Sequence, residues 1–232
     1  SFQGNRWALR ANASSGNLHP TECTLAAPAI EGLSEQPGIY HYAPLEHGLE
    51  RLATLGTNSG LTAILSSVHW REAWKYGERA YRYCQLDAGH ALGSIAYAAA
   101  LFGWQVRLLA EPADEELATL AGLDQREFAP GENEVPDFAV NIDTGAGTSA
   151  LPSPITGDWL GVPNRLSRQH TRWQGIEAVD IAAAKPRTLA PSQPPMPLVA
   201  GGRSDFGTAA VDIIRRRRSA VAMDGATSIS KD

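Results

Sequence analysis

The sequence predicts an α+β fold, and three observations carry that expectation. Short apolar runs of strand character stand at 21–28, 38–43, 48–52, 104–109 and 136–143. A long alanine-rich stretch, 87–102, has helical spacing, and a shorter one follows at 114–120. Strands come before, between and after the helices, an order that gives a sheet flanked by helices.

Each element has its own warrant. Residues 21–28, including Cys23-Thr24-Leu25-Ala26-Ala27, read as a buried strand. Residues 38–43 and 48–52 read as a hairpin, because Pro44 and Gly48 mark a turn between them. Residues 57–68 alternate small and aliphatic side chains (Gly60, Leu61, Ala63, Ile64, Leu65, Val68) and fit a helix or a strand. From Asp87 to Phe102 the apolar surface (Ala91, Leu92, Ile95, Ala96, Ala99, Ala100) is wide enough to predict burial nearly all round, and Gly103 ends the helix. Gly89 and Gly93 lie four apart within it. They predict either close approach of another element or chance placement. Gly122-Leu123-Asp124 is the exit of the short helix.

The 232 residues carry a net charge of −5 and suit one large domain or one domain and part of another. That charge gives no broad basic face, so no nucleic-acid partner is expected. No apolar stretch is long enough for a membrane span. Cys23 and Cys84 sit in apolar contexts and read as reduced core thiols of a cytoplasmic protein. The histidines show no ligand spacing, so no metal site is expected. No P-loop, G-x-G-x-x-G or G-x-S-x-G motif is present, and no groove motif supports an isolated peptide-binding module.

Asn12 to Glu22, NASSGNLHPTE, is the most informative segment. It packs hydroxyl, glycine and amide residues into a turn that closes on Pro20. Such a turn exposes backbone N–H groups beside a rigid strand and suits a planar polar ligand. It also fits an ordinary polar loop. Gly38-Ile39-Tyr40-His41-Tyr42 follows it, and then the run from Arg79 to Ala91, RAYRYCQLDAGHA. The three segments in this order resemble the SagB-type dehydrogenases of the nitroreductase superfamily.

The resemblance covers about residues 6–145. It implies a nitroreductase-like fold, with a mixed sheet, flanking helices and a long buried central helix. It also implies FMN as cofactor and hydride transfer to or from an organic substrate, with a small molecule or a modified peptide as that substrate and a nicotinamide as a candidate donor. Ser14, Ser15, Asn17 and His19 fall where the family's loop touches flavin. Glu111 falls in the segment that lies over the ring, but Pro112 stands where glycine is usual and removes an N–H.

The same resemblance divides the chain at 148 and 204. Residues 1–148 form one unit lacking its N-terminal segment, so the chain reads as a piece of a longer protein. Residues 149–204 form a proline-rich linker whose Trp159 and Trp173 call for an apolar seat. Residues 205–232 open a second nitroreductase-like unit, where Arg217, Arg218 and Ser219 match the family's phosphate grip. Taken alone, that arginine run also fits a solvated helix end. A homodimer or an intramolecular pseudo-dimer is implied. The alternative function is a non-catalytic domain that keeps the fold as a structural partner without flavin.

Overall fold

The structure, a computed structural model, describes residues 10–56, 60–145, 151–152, 158–189, 209–218 and 222–228. The chain divides into two compact units, Ser1–Leu198 and Val199–Asp232.

The first unit is built on six strands: β1 (Thr21–Ala27), β2 (Gly38–Ala43), β3 (Gly48–Thr54), β4 (Leu61–Val68), β5 (Gln105–Leu109) and β6 (Glu134–Asp143). Their order in the sheet is β3-β2-β1-β4-β6-β5. The expected mixed sheet has all five strand pairs antiparallel. Helices α1 (Trp70–Tyr76) and α2 (Ala80–Leu101) lie between β4 and β5, and α3 (Asp114–Ala121) lies between β5 and β6. A fourth helix, α4 (Gln174–Ala183), stands in the proline-rich region.

The ambiguous run at 57–68 is a strand over Leu61–Val68, buried from Thr62 onward. A central strand covered on both faces loses the polar alternation that would have marked it. One face packs Ala26, Ile39, Ile64 and Ala139 against Leu117, Leu120 and Ala121 of α3. On α3, Glu116 accepts the Ala113 N–H at 2.8 Å and closes the first turn. The other face carries α2. There Cys23 and Leu65 share a cavity of about 330 Å³ with Ala91 and Ile95.

Helix α2 corrects one expectation. It starts seven residues earlier than Asp87, and it is not buried all round. Its buried residues are Ala80, Cys84, Asp87, Ala88, Ala96 and Ala99, whereas Leu86, Tyr97 and Leu101 are exposed. A Cβ at Gly89 or Gly93 would meet nothing within 4 Å, so among the described residues no element approaches closely there. Alanines make a helix apolar on every side, but among the described residues only the faces toward the sheet and α1 are covered.

The segment 158–189 runs along the first unit. Leu160 donates its N–H to the Leu52 carbonyl of edge strand β3 at 2.7 Å. Trp159 packs on the α3 core, and its ring occupies the space that a Cβ at Gly122 would fill. Glu132, 2 % exposed, accepts the Leu166 and Ser167 N–H groups at 2.7 Å each and pairs with His170 Nε2 at 2.6 Å. Trp173 seats on a second cluster with Trp70, Ala73 and Ile176. Both tryptophans therefore have an apolar seat.

In the second unit, α5 (Ala210–Arg216) is the described helix, with its residues exposed.

Removing the Trp159 ring opens a void over α3. Trp159→Ala is expected to cost about 2–4 kcal/mol in urea unfolding of the first unit. A cost below about 0.5 kcal/mol would show that the ring merely lies on the surface.

Candidate functional site

The loop ahead of β1 is tightly determined. Ser15–Asn17 forms one 3₁₀ turn. Gly16, Asn17 and His19 all take left-handed conformations, with φ of 60°, 59° and 51°. For the two non-glycine residues such backbone is strained and persists only where the surroundings enforce it. Three contacts do so. Ser14 Oγ accepts the His19 N–H at 2.8 Å. His19 Nε2 meets Asn17 Oδ1 at 2.9 Å. Ser15 donates its N–H to Asp87 Oδ1 on α2 at 3.1 Å. Arg71 Nη1 also donates to the His19 carbonyl at 3.1 Å. Ser14, Ser15, Asn17 and His19 are thus brought together as one unit.

Gly16 shows what the loop faces. A Cβ built there would stand 2.5 Å from the Tyr76 hydroxyl and 2.7 Å from Lys75 Nζ. The tips of the Lys75 and Tyr76 side chains, from the C-terminal end of α1, fill the space beside a glycine whose left-handed backbone disfavours other residues. Lys75 Nζ lies 5.1 Å from the Tyr76 ring centroid, and Tyr76 packs edge-on to Tyr83 at 4.8 Å. Gly77, with φ 59°, breaks the helix directly after this pair, and the Trp173 ring covers it. An ammonium and a phenol therefore meet the loop at one point. Sequence reasoning missed both, although Lys75-Tyr76-Gly77 stands two residues before the matched run at Arg79.

The floor beneath is acidic and buried. Glu72 has no exposed surface, and neither of its carboxyl oxygens has a hydrogen-bond partner among the described residues. Asp87 Oδ2, His19 Nδ1 and Thr21 Oγ1 are likewise buried without partners. Burial and the Asp87 charge push the Glu72 carboxyl up to about 7, against the pull of Lys75. Burial, then Arg10, lowers the His19 imidazole, so the ring is held neutral. Unpartnered buried polar atoms are few in native proteins and call for an explanation. Five of the nine such atoms among the described residues lie at this loop and its floor; Thr24, His69, Asn141 and Trp173 carry the other four.

A second polar group borders the loop. Glu22 is ion-paired with Arg71 and lies 2.8 Å from His41 Nε2, whose Nδ1 meets Glu50 at 3.0 Å. Burial pushes the Glu22 carboxyl up, but His41 and Arg71 outweigh it and hold it low. Burial lowers His41, and the two carboxylates outweigh that and raise it. These residues line a cleft of about 300 Å³ with Arg126 and Glu134.

The remaining sequence-derived residues lie elsewhere. The Glu111 and Ala110 carbonyls accept from Thr188, and the Pro112 carbonyl accepts from Lys185 Nζ at 2.7 Å. Residues 185–188 thus hold the segment expected over the ring, and Pro112 is buried. Arg217 and Arg218 belong to the second unit, exposed just past α5. Arg218 Nη1 donates to the Arg215 and Arg217 carbonyls at 3.0 and 2.8 Å. Ser219 lies outside the described residues. Among the described residues no group of three or more His, Cys, Asp or Glu side chains is placed to hold a metal ion, and no helix is long and apolar enough to cross a membrane.

The pH dependence of stability reports on Glu72. Its carboxyl titrates near ~4.3 in an unfolded chain and at about 7 in the folded one. A raised acid is stabilising while protonated, and that stability is lost as pH rises through the folded value. Glu72→Gln should therefore match the wild type at pH 4 and exceed it by about 1–3 kcal/mol at pH 8. The check is chemical denaturation at both pH values. An unchanged difference between them would contradict the assignment.

No family model matches the chain. It is 30% identical over 139 residues to the microcin B17-processing protein McbC of Escherichia coli, covering 52% of this chain and 51% of that protein. The chain thus spans about half the length of this curated relative. A solved structure from Anabaena variabilis, assigned as a nitroreductase, matches with a TM-score of 0.55 at 25% identity over 80% of this chain and 39% of that one. The E. coli microcin synthetase McbBCD complex with truncated pro-MccB17 bound contains a chain matching at 0.51 and 22% identity, over 59% of this chain and 56% of that one. That second likeness speaks for the fold. The first unit has a nitroreductase-like fold, and the chain is homologous to McbC.

Proposed function

We propose that this chain belongs to an FMN-dependent oxidoreductase of the SagB-type dehydrogenase class. It moves a hydride through flavin to or from an organic substrate, a small molecule or a modified peptide. The observation that carries the proposal is the meeting of the left-handed loop at Gly16 with Lys75 and Tyr76.

The donor set fits the polar edge of a flavin. Ser14 keeps its hydroxyl hydrogen, since its oxygen is the acceptor for His19, and the Asn17 amide and Ser15 hydroxyl stand beside it. Flavin, when bound, supplies the two-electron carrier. The chain's own residues supply position and protons. Ser14, Ser15 and Asn17 orient the ring. Tyr76 and Lys75 give or take a proton at the substrate. Glu72 and Asp87 hold the loop and helices around them. His19 stays neutral and fixes Asn17. Arg217, Arg218 and Ser219 serve as the phosphate end of a further site, whose remaining walls come from residues outside this sequence or from a partner chain. A reduced nicotinamide is the candidate donor. Peptide substrates are favoured over other organic ones because the relative McbC is named as a microcin-processing protein.

One observation favours the non-catalytic alternative. The Glu111–Pro112 segment is held by Lys185 and Thr188 and offers no N–H at Pro112. Under that reading the unit is a structural partner without flavin.

Purified protein mixed with FMN separates the two. A retained flavin absorbance is expected. The double variant Lys75→Ala, Tyr76→Phe should keep flavin while losing about 10²–10⁴-fold in turnover. Protein that takes up no FMN supports the structural partner. In the intact protein, Arg217→Ala should weaken FMN binding about ten- to a hundred-fold, whereas Arg215→Ala should leave it unchanged. Equal flavin content in both variants would remove the arginines from the site.

A further inference from the structure

A cavity of about 530 Å³ opens between α1, α4 and the turn before β6, away from the loop. His69, Trp70, His170, Trp173 and Asp180 stand in its wall. Its aromatic faces are preset. Trp70 is buried, donates Nε1–H to Ser167 Oγ at 2.8 Å and lies 4.8 Å from the His170 ring, tilted by 59°. Trp173 is fixed against Gly77.

The charges in this wall do not cancel. Arg172 is engaged by Glu177 through both carboxylate oxygens, at 2.7 and 2.6 Å. His170 is engaged by Glu132. Asp180 makes no hydrogen bond or ion pair with the described residues, and the ring beside it, His69, is held neutral by burial. Burial and nearby Asp114 push the Asp180 carboxyl up, with His69 pulling the other way. Asp180 in turn helps push up Asp137. Asp180 thus brings to this wall a carboxylate whose electrostatic partner is the His69 ring and which no hydrogen bond among the described residues answers, a place where an incoming cation is favoured.

Two indole rings lining a cavity beside a carboxylate with no hydrogen-bond partner among the described residues supply the groups of a cation cage. We propose that this cavity holds a basic side chain of a peptide, its ammonium or guanidinium seated between Trp70, Trp173 and Asp180. The peptide rests on the oxidoreductase function proposed above; the cation chemistry does not. Helix α1 relates the two places. Trp70 and Ala73 border the cavity, and Lys75 and Tyr76 end the helix at the loop. Seven residues rise about 10 Å, a span of about three residues of extended chain. The basic residue then lies about three positions from the residue that reacts.

The test is calorimetric titration of the whole 232-residue chain, with no flavin added, using N-acetyl-lysine methylamide, its uncharged norleucine analogue and n-butylamine. The lysine probe is expected to bind at least tenfold more tightly than either of the others, and Asp180→Asn should bring it to the norleucine level. Wild-type discrimination between the two peptide probes is read without any variant. Equal binding of lysine and norleucine probes, no binding up to millimolar concentration, or an unaffected Asp180→Asn would overturn the cation cage. Equally tight n-butylamine would overturn the peptide as its source. Neither flavin content nor turnover enters these readings, so failure of the oxidoreductase assignment is seen separately, by the FMN uptake experiment.

Discussion

The site depends on one hydrogen bond, from the Ser15 N–H to the buried carboxylate of Asp87. Asp87 sits on the covered face of α2, 2 % exposed, and α2 lies against the sheet. Through this bond a strained, left-handed loop is fastened to the most regular element of the unit. A charged acceptor makes the bond stronger than a neutral one would. The fastening sets where Gly16 stands, and Gly16 sets how closely Lys75 and Tyr76 approach. Without it, the contacts of Ser14, Asn17, His19 and Arg71 would hold the strained backbone of Asn17 and His19 with no tie to α2.

A carboxylate used this way has consequences for its neighbours. Burial, and then the Asp87 charge, raises Glu72, whose carboxyl oxygens have no hydrogen-bond partner among the described residues. The unit therefore trades stability above neutral pH for a defined loop. Such local compromises are expected where a chain positions polar groups for a ligand rather than for packing. Segment 158–189 adds a second layer of constraint. Glu132 fixes its course through two N–H groups and His170, and Trp173 closes over Gly77, so the break after Tyr76 is held from both sides.

Much of this was legible in the sequence. The strands with polar alternation or turn punctuation were found within two residues, and the Asn12–Glu22 loop stood out by composition. Gly103 and Gly122 marked where α2 and α3 end. What was illegible had physical causes. Strand β4 is covered on both faces and showed no period of two. Helix α1 has seven residues and exposes Trp74 and Lys75, too short for a helical stripe to show. Helix α4 buries only Ile176 and is surrounded by prolines. The outward face of α2 looked buried because alanine is apolar whether covered or not. Lys75 and Tyr76 were missed since nothing local distinguishes them. Their role follows from a glycine sixty residues away in space-filling contact.

The amide hydrogen exchange of Ser15 tests this account most directly. The Asp87 hydrogen bond predicts a Ser15 N–H that exchanges slowly in the folded protein and at least tenfold faster in Asp87→Ala, with the core amides of β4 unchanged. A Ser15 amide that exchanges freely in the wild type would show that the loop is not fastened to α2, and the site built on that fastening would fall.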